Sequence, residues 1–204
     1  MSEKPIIFKP EMVKAILEGT KTQTRRIIQP QPKMDSGIIE NGVLYRYFPG
    51  GIELDMNNPI KCPYGKPGDI LWVREKHCNV NKPGIKPDYY YFADTLFPEC
   101  EDYDPKEWTW KPSIHMKREA ARLFLDVKSI RVERLHKITP EDCVNEGSVK
   151  RPHYMKWGGE ECLALHKRYK EEFAKLWDSI NAKRGYSWES NPWVWVIEFV
   201  RVGR

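Results

Sequence analysis

Long apolar runs are missing from this chain of 204 residues, and no stretch approaches the roughly 20 residues that a bilayer span requires. The opening MSEKPIIFKP also lacks the apolar segment of a signal peptide, so a soluble, cytoplasmic protein without a membrane partner is expected. Cysteine is sparse and irregular. Cys62, Cys78, Cys100, Cys143 and Cys162 form an odd set with no CxxC spacing, which argues against a disulfide framework or a zinc knuckle and for reduced thiols. His77 and Cys78 with Cys62 and Cys100 do not make a regular ligand pattern, so neither a metal nor another cofactor is expected. Internal repeats and low-complexity tracts are absent. A strong charge of one sign is absent too: 34 Lys and Arg against 29 Asp and Glu leave +5, short of the footprint of a dedicated polyanion binder.

What is present is a globular balance, with 40% hydrophobic and 31% charged residues, enough for one core and one domain over residues 1–204. Charge is unevenly placed. Residues 1–34 carry Lys4, Lys9, Lys14, Lys21, Arg25, Arg26 and Lys33 against Glu3, Glu11 and Glu18, whereas 99–107 is acidic. Eight tryptophans are many for this length. Trp108, Trp110, Trp157 and Trp188 stand in polar, Gly/Pro-punctuated surroundings, where a stacking surface competes with packing over the core rim.

Ile6-Ile7-Phe8 reads as a short strand, and Pro10 with Glu11 opens a helix that Gly19 ends. Residues 30–67 are rich in Pro, Gly and Asn, with hairpin signals near 43–48, and read as an insertion. Ile70 to Glu75 reads as a central strand, and 79–113 as a second insertion. Leu123, Leu125 and Val127 alternate, then the phase shifts to Ile130 and Val132, which predicts a strand bent by a bulge near Lys128-Ser129. Thr139-Pro140-Glu141-Asp142 opens a two-turn helix closed by Gly147. Tyr169, Phe173, Leu176, Trp177 and Ile180 fall on one stripe of a helix over about 160–181. Residues 193–202 are apolar on both faces and should lie inside a sheet or barrel. Glu198 on that strand requires a partner, with Arg74 or Arg122 as the options, and the role of Glu75 stays open. The order of elements points to an α+β fold with a small curved sheet or barrel.

The densest chemistry is Gly19-Thr20-Lys21-Thr22-Gln23-Thr24-Arg25-Arg26, which packs hydroxyls and cations directly after a helix stop. Cations supply charge-assisted donors to phosphate or carboxylate, and a hydroxyl beside a base can attack an acyl carbon. If extended, the segment puts Thr22, Thr24 and Arg26 on one face and Gln23 and Arg25 on the other. His115, near Ser113 and Lys117, is a candidate general acid, the role imidazole most often takes. Trp110 beside Lys111 suits base stacking next to a phosphate contact.

This loop, together with Gly68-Asp69-Ile70-Leu71-Trp72-Val73, the stretch Leu135 to Gly147, and Val194 to Phe199, resembles the ASCH domain family. The segment Trp110 to Met116 is similar to longer ASCH proteins of phages and prophages. The resemblance implies a PUA-like fold: a small β-barrel with flanking helices, here carrying the two insertions. It also implies binding of RNA, single-stranded nucleic acid or a modified nucleoside. One branch of the family hydrolyses the amide of N4-acetylcytidine, and its Lys, Thr and Glu correspond by position to Lys21, Thr24 and Glu146, with Arg26 holding the substrate. Arg25, Thr22, Trp110, Lys111 and His115 complete the expected binding set. The alternatives are a binding module without turnover, in which Lys21, Arg25 and Arg26 contact phosphates, and a ribonuclease built on Lys21 and His115.

Overall fold

Residues Trp193–Val202 form the strand that organises the molecule, because its two faces feed two different cores. In the computed structural model, residues 1–33, 37–47, 54–80, 88–94, 109–149 and 160–203 are described. The strands are β1 (Glu3–Ile7), β2 (Gln23–Ile27), β3 (Gly37–Glu40), β4 (Val43–Tyr47), β5 (Leu54–Lys61), β6 (Ile70–Arg74), β7 (His77–Val80), β8 (Asp88–Tyr91), β9 (Phe124–Arg134) and β10 (Trp193–Val202). The helices are α1 (Pro10–Leu17), α2 (Pro140–Asn145) and α3 (Glu160–Asn181).

The main sheet runs β1-β6-β9-β10-β2, with β1 parallel to β6 and the other neighbours antiparallel. Trp195, Ile197 and Phe199 of β10 pack with Val13 and Ile16 of α1, while Val194 and Val196 pack with Tyr169, Phe173 and Trp177 of α3. A strand segment covered on both sides is apolar on both faces, which is why Trp193 to Ile197 of β10 show no alternation. The predicted stripe of α3 is therefore its buried face.

The bulge falls where the phase shift placed it. Glu198 pairs with Ser129 but Phe199 pairs with Val127, leaving Lys128 as the extra residue. Before it, Leu125 and Val127 face the α1 side; after it, Ile130 and Val132 do.

The α+β class holds, but the closed barrel does not form among the described residues. The sheet ends at β1 and β2, and no ladder joins them. Pro5 within β1 has no N–H to offer a further neighbour, as suits an edge strand. What spans the gap is a side chain: Arg26 Nη2 of β2 donates to the Ile7 carbonyl of β1 at 2.7 Å.

The 30–67 insertion supplies an antiparallel β3-β4-β5 sheet, from which Leu44 and the nearby Cys62 reach the α1-side core. The second insertion contributes the β7-β8 hairpin and a 3-10 turn at Ser113–His115. Trp108, Trp157, Cys100 and the acidic 99–107 stretch lie outside the described residues.

Helix α1 ends at Glu18, and Gly19, at φ +74°, turns the chain so that the Thr20 and Lys21 amides both reach back to the Ala15 carbonyl. Helix α2 is held by a complete capping box, in which Asp142 N donates to Thr139 Oγ1 at 3.1 Å and Thr139 N donates to Asp142 Oδ2 at 3.0 Å. Thr139→Ala should lower stability by about 1 kcal/mol in urea unfolding, and Thr139→Ser should retain most of it; equal stability of the alanine variant would show that the cap is not needed.

Candidate functional site

The parity of β2 decides which side chains meet. With the strand extended, Lys21 before it and Gln23 and Arg25 within it reach toward α2, while Thr24 and Arg26 take the α1 side next to Ile197 and Trp195 of β10. Thr22 is exposed and contributes its backbone, its amide donating to the Asn145 carbonyl and its carbonyl accepting from Phe199.

Lys21 and Glu146, 125 positions apart, are in contact. Nζ of Lys21 donates to Glu146 Oε2 at 2.9 Å, to the Glu146 carbonyl at 2.7 Å and to the Gln23 carbonyl at 2.7 Å. All three ammonium protons are thus used, and the side chain is fully buried. Burial draws the Lys21 pKa down, while the Glu146 carboxylate and its hydrogen bond push it back up. Gly147 makes this approach feasible. At φ +71° it follows the last turn of α2, and a Cβ there would stand 3.0 Å from Ala15 Cβ and 3.2 Å from Lys21 Cβ.

Arg25 reaches three carboxylates with a side chain of zero exposure: Glu133, Asp142 at 2.9 Å and Glu146 at 3.1 Å. Burial opposes its charge, yet Glu146, Glu133 and Asp142 together hold the guanidinium above its usual range. The network continues through Arg131, which contacts Asp142 at 2.9 Å and also Glu198. Gln23 Nε2 donates to Asp142 Oδ1 at 2.9 Å. Glu198 accepts from Ser129 and Arg131, so neither Arg74 nor Arg122 is its partner. Arg122 instead clasps both oxygens of Glu75 at 2.9 and 3.0 Å and reaches Asp94, which gives Glu75 a structural role under the second insertion. Among the described residues no cluster has the makeup of a metal site, and Cys62, Cys78 and Cys143 are buried free thiols.

Beside this network opens a cavity of about 650 Å³. Residues of both edge strands line it, with Thr24, Arg25, Arg26 and Glu146 as its polar groups nearest the network. Its walls are apolar and aromatic: Ile6, Tyr64, Phe173, Leu176, Trp177 and Trp195. Lys21 lies beneath, out of contact with the open space. Among the described residues the Thr24 hydroxyl has no hydrogen-bond partner, although the residue is almost wholly buried, at 3% exposure. Arg26 stacks over Phe8 at 4.9 Å and Tyr64 at 5.8 Å, and its Nε is buried without a partner. Burial lowers its pKa, opposed by Tyr64 and Glu146.

Of the expected set, Thr24, Arg25, Arg26 and Glu146 line the cavity, with Lys21 directly behind Glu146. Trp110, Lys111 and His115 do not line it. Trp110 meets Phe92 edge-on at 5.3 Å, Lys111 is exposed and pairs by backbone with His77, and His115 is exposed on the 3-10 turn. Sequence reading did not find Asp142, Glu133 and Arg131 as members of the network, nor α3 as a wall. The run Ser129, Arg131, Glu133 at period 2 after the bulge was the available signal for the polar face.

No family model matches this chain, and no curated protein matches it. Among solved structures it is similar to a crystal structure of an ASCH domain from Lactobacillus crispatus JV V101, with 11% identity, 100% of this chain and 81% of that chain covered, and a TM-score of 0.41. An overlap that loose carries no chemistry, which rests on the geometry above. No helix among the described residues is long and apolar enough to cross a membrane.

Asp142 gives this network a pH signature. Burial pushes its carboxyl up, but the Thr139 amide and Arg25 outweigh that and bring it down to about 2 from 3.8. A depressed carboxylate contributes its stability above the unfolded-state value and loses it as pH falls through the folded one. Unfolding free energy should therefore fall by about 2 kcal/mol between pH 4 and pH 2 from this residue. Asp142→Asn should be less stable at pH 6 and should lose that part of the slope in urea titrations at stepped pH; an unchanged slope would remove Asp142 as its source.

Proposed function

We propose that this chain binds a nucleobase in the cavity beside β2, either as a free, modified nucleoside or as an unstacked residue of RNA. The observation that carries the reading is the combination of aromatic and aliphatic walls with two polar groups that have no hydrogen-bond partner among the described residues, the buried Arg26 Nε and the Thr24 hydroxyl. A base offers two apolar faces and a polar edge, and a cavity of this size and lining matches both. The sequence resemblance to ASCH domains points the same way.

The catalytic form of the reading is hydrolysis of an amide on the base, as in N4-acetylcytidine. The Thr24 oxygen attacks the acyl carbon, its proton passes to the Lys21–Glu146 pair, and the exocyclic amine leaves with a proton; water then releases the acid from the threonyl ester. Lys21 with three acceptors has no lone pair to offer, so the proton vacancy must arise on Glu146, and Lys21 acts by holding that carboxylate and the developing charge in place. This requirement makes plain binding the reading the geometry favours first. A ribonuclease built on Lys21 and His115 has no support from their placement, since one is buried and the other exposed away from the cavity.

Trp177 and Trp195 in the wall provide the readout. Cytidine, N4-acetylcytidine and short single-stranded RNA should quench tryptophan fluorescence, and Thr24→Val should weaken binding of the preferred ligand by about 1 kcal/mol, or several-fold. If the hydrolytic form holds, acetate appears from N4-acetylcytidine and is abolished in Thr24→Val and Glu146→Gln. Binding without acetate across a panel of acylated nucleosides leaves the binding module alone, and absence of binding to every base-containing ligand ends the reading.

A further inference from the structure

The cavity's charge is not accounted for by a neutral base. Among the described residues lining it, the cations are Lys9, Arg25, Arg26, Lys61, Arg74 and Arg184, and the acid is Glu146. Arg25 and Glu146 belong to the buried network, where Lys21, Arg25 and Arg131 face Glu133, Asp142, Glu146 and Glu198. The rest are not neutralised. Among the described residues, none of Lys9, Arg26, Lys61, Arg74 and Arg184 has a carboxylate within 4.0 Å.

Two of these arginines line the cavity and are tied to the same strand, β1. In the parallel β1-β6 ladder the backbone of Arg74 lies beside Ile7, and the tip of Arg26, reaching over from β2, donates through Nη2 to the Ile7 carbonyl at 2.7 Å, so both residues meet the same end of β1. Each spends one nitrogen on a backbone carbonyl, Arg26 on Ile7 and Arg74 on Ile114. Each keeps a buried Nε with no partner among the described residues. Aromatic rings back both, Phe8 under Arg26 and Trp72 under Arg74 at 5.6 Å, which fixes the planes of the forks and shields them from water. Lys9, Lys61 and Arg184 are exposed and line the same cavity. Cations that outnumber the acid along one cavity repel each other, and an anion with several acceptor oxygens relieves that repulsion and offers acceptors to the unpaired Nε donors.

We propose that the ligand of this cavity carries a phosphate, held at the end of β1 by Arg26 and Arg74 and flanked by Lys61 and Arg184, while its base enters between Tyr64 and the α3 wall. The proposal rests on the base-binding reading above and narrows it from nucleoside to nucleotide. The phosphate belongs either to a free nucleoside monophosphate or to the backbone of a strand whose base is drawn in; the chemistry at the arginines is the same.

The test is a fluorescence titration of the full chain with the four ribonucleosides, their 5′-monophosphates, ribose 5-phosphate, and trinucleotides lacking a terminal phosphate, at low and moderate salt. The preferred monophosphate should bind about tenfold or more tighter than its nucleoside, with the ratio shrinking as salt rises. Arg74→Gln should bring that ratio close to one. Because Arg74 ends a central strand, Lys61→Gln at the exposed rim serves as the second variant and should reduce the ratio several-fold. Trinucleotides binding as tightly as the monophosphate assign the phosphate to a strand, and weaker binding assigns it to a free nucleotide. Equal affinity for nucleoside and monophosphate overturns the phosphate site and leaves base binding intact. Tight binding of ribose 5-phosphate with inert nucleosides keeps the phosphate site and ends the base reading, whereas silence from every probe ends both.

Discussion

The contact between Lys21 and Glu146 ties the turn after α1 to the end of α2, and everything around the cavity is placed relative to that tie. A lysine without water contact is costly unless every proton finds an acceptor, and here two backbone carbonyls and one carboxylate supply them. Because one acceptor is Glu146's own carbonyl, the lysine reads the backbone position of the helix end as well as its side chain. Arg25 then grips the other oxygen of the same carboxylate, so Glu146 faces the cavity with both oxygens already committed. Removing the Glu146 carboxylate would leave the buried Lys21 ammonium with no counter-ion among the described residues, a loss on the order of 3–5 kcal/mol for pairs of this kind.

The cavity itself follows from an unclosed sheet. Strands β1 and β2 are the two free edges, and the space between them is bridged by one guanidinium rather than by a ladder. A closed barrel would fill that space with backbone hydrogen bonds. Left open, it is roofed by α3, whose apolar stripe continues past the part buried against β10 and supplies the wall with Leu176 and Ile180. The same amphipathic helix thus seals one core and furnishes one wall of the cavity, which is an economical way to build a pocket at the margin of a sheet.

Local pattern revealed much of the fold. The limits of α3, the cap and stop of α2, the interior position of β10 and the bulge at Lys128 all follow from periodicity and capping, which depend on neighbours in the chain. The meeting of Lys21 with Glu146 came from likeness to a family pattern, because no spacing rule links residues so far apart. The rest of the network was illegible for a related reason: Glu133, Asp142 and Arg131 are ordinary charged residues until the sheet register aligns them. Trp110, Lys111 and His115 drew attention by standing together in sequence, yet the hairpin turns Trp110 onto Phe92 and leaves the other two in solvent. Arg74 was read only as a partner option for Glu198, since its place at the cavity depends on which residue of β1 lies beside it.

The extra residue at Lys128 carries a weight that its own exposed side chain conceals. Upstream of it, odd-numbered positions of β9 face the α1 side; downstream, even-numbered ones do, so Ser129, Arg131 and Glu133 are turned toward Gln23, Arg25 and Glu198. Shortening the strand by that single step would rotate every following side chain to the opposite surface, burying an arginine and a glutamate among tryptophan and isoleucine and presenting valine to the carboxylates. The chemistry of one face is therefore written in a frame, and a lone lysine keeps the reading frame of the entire electrostatic layer.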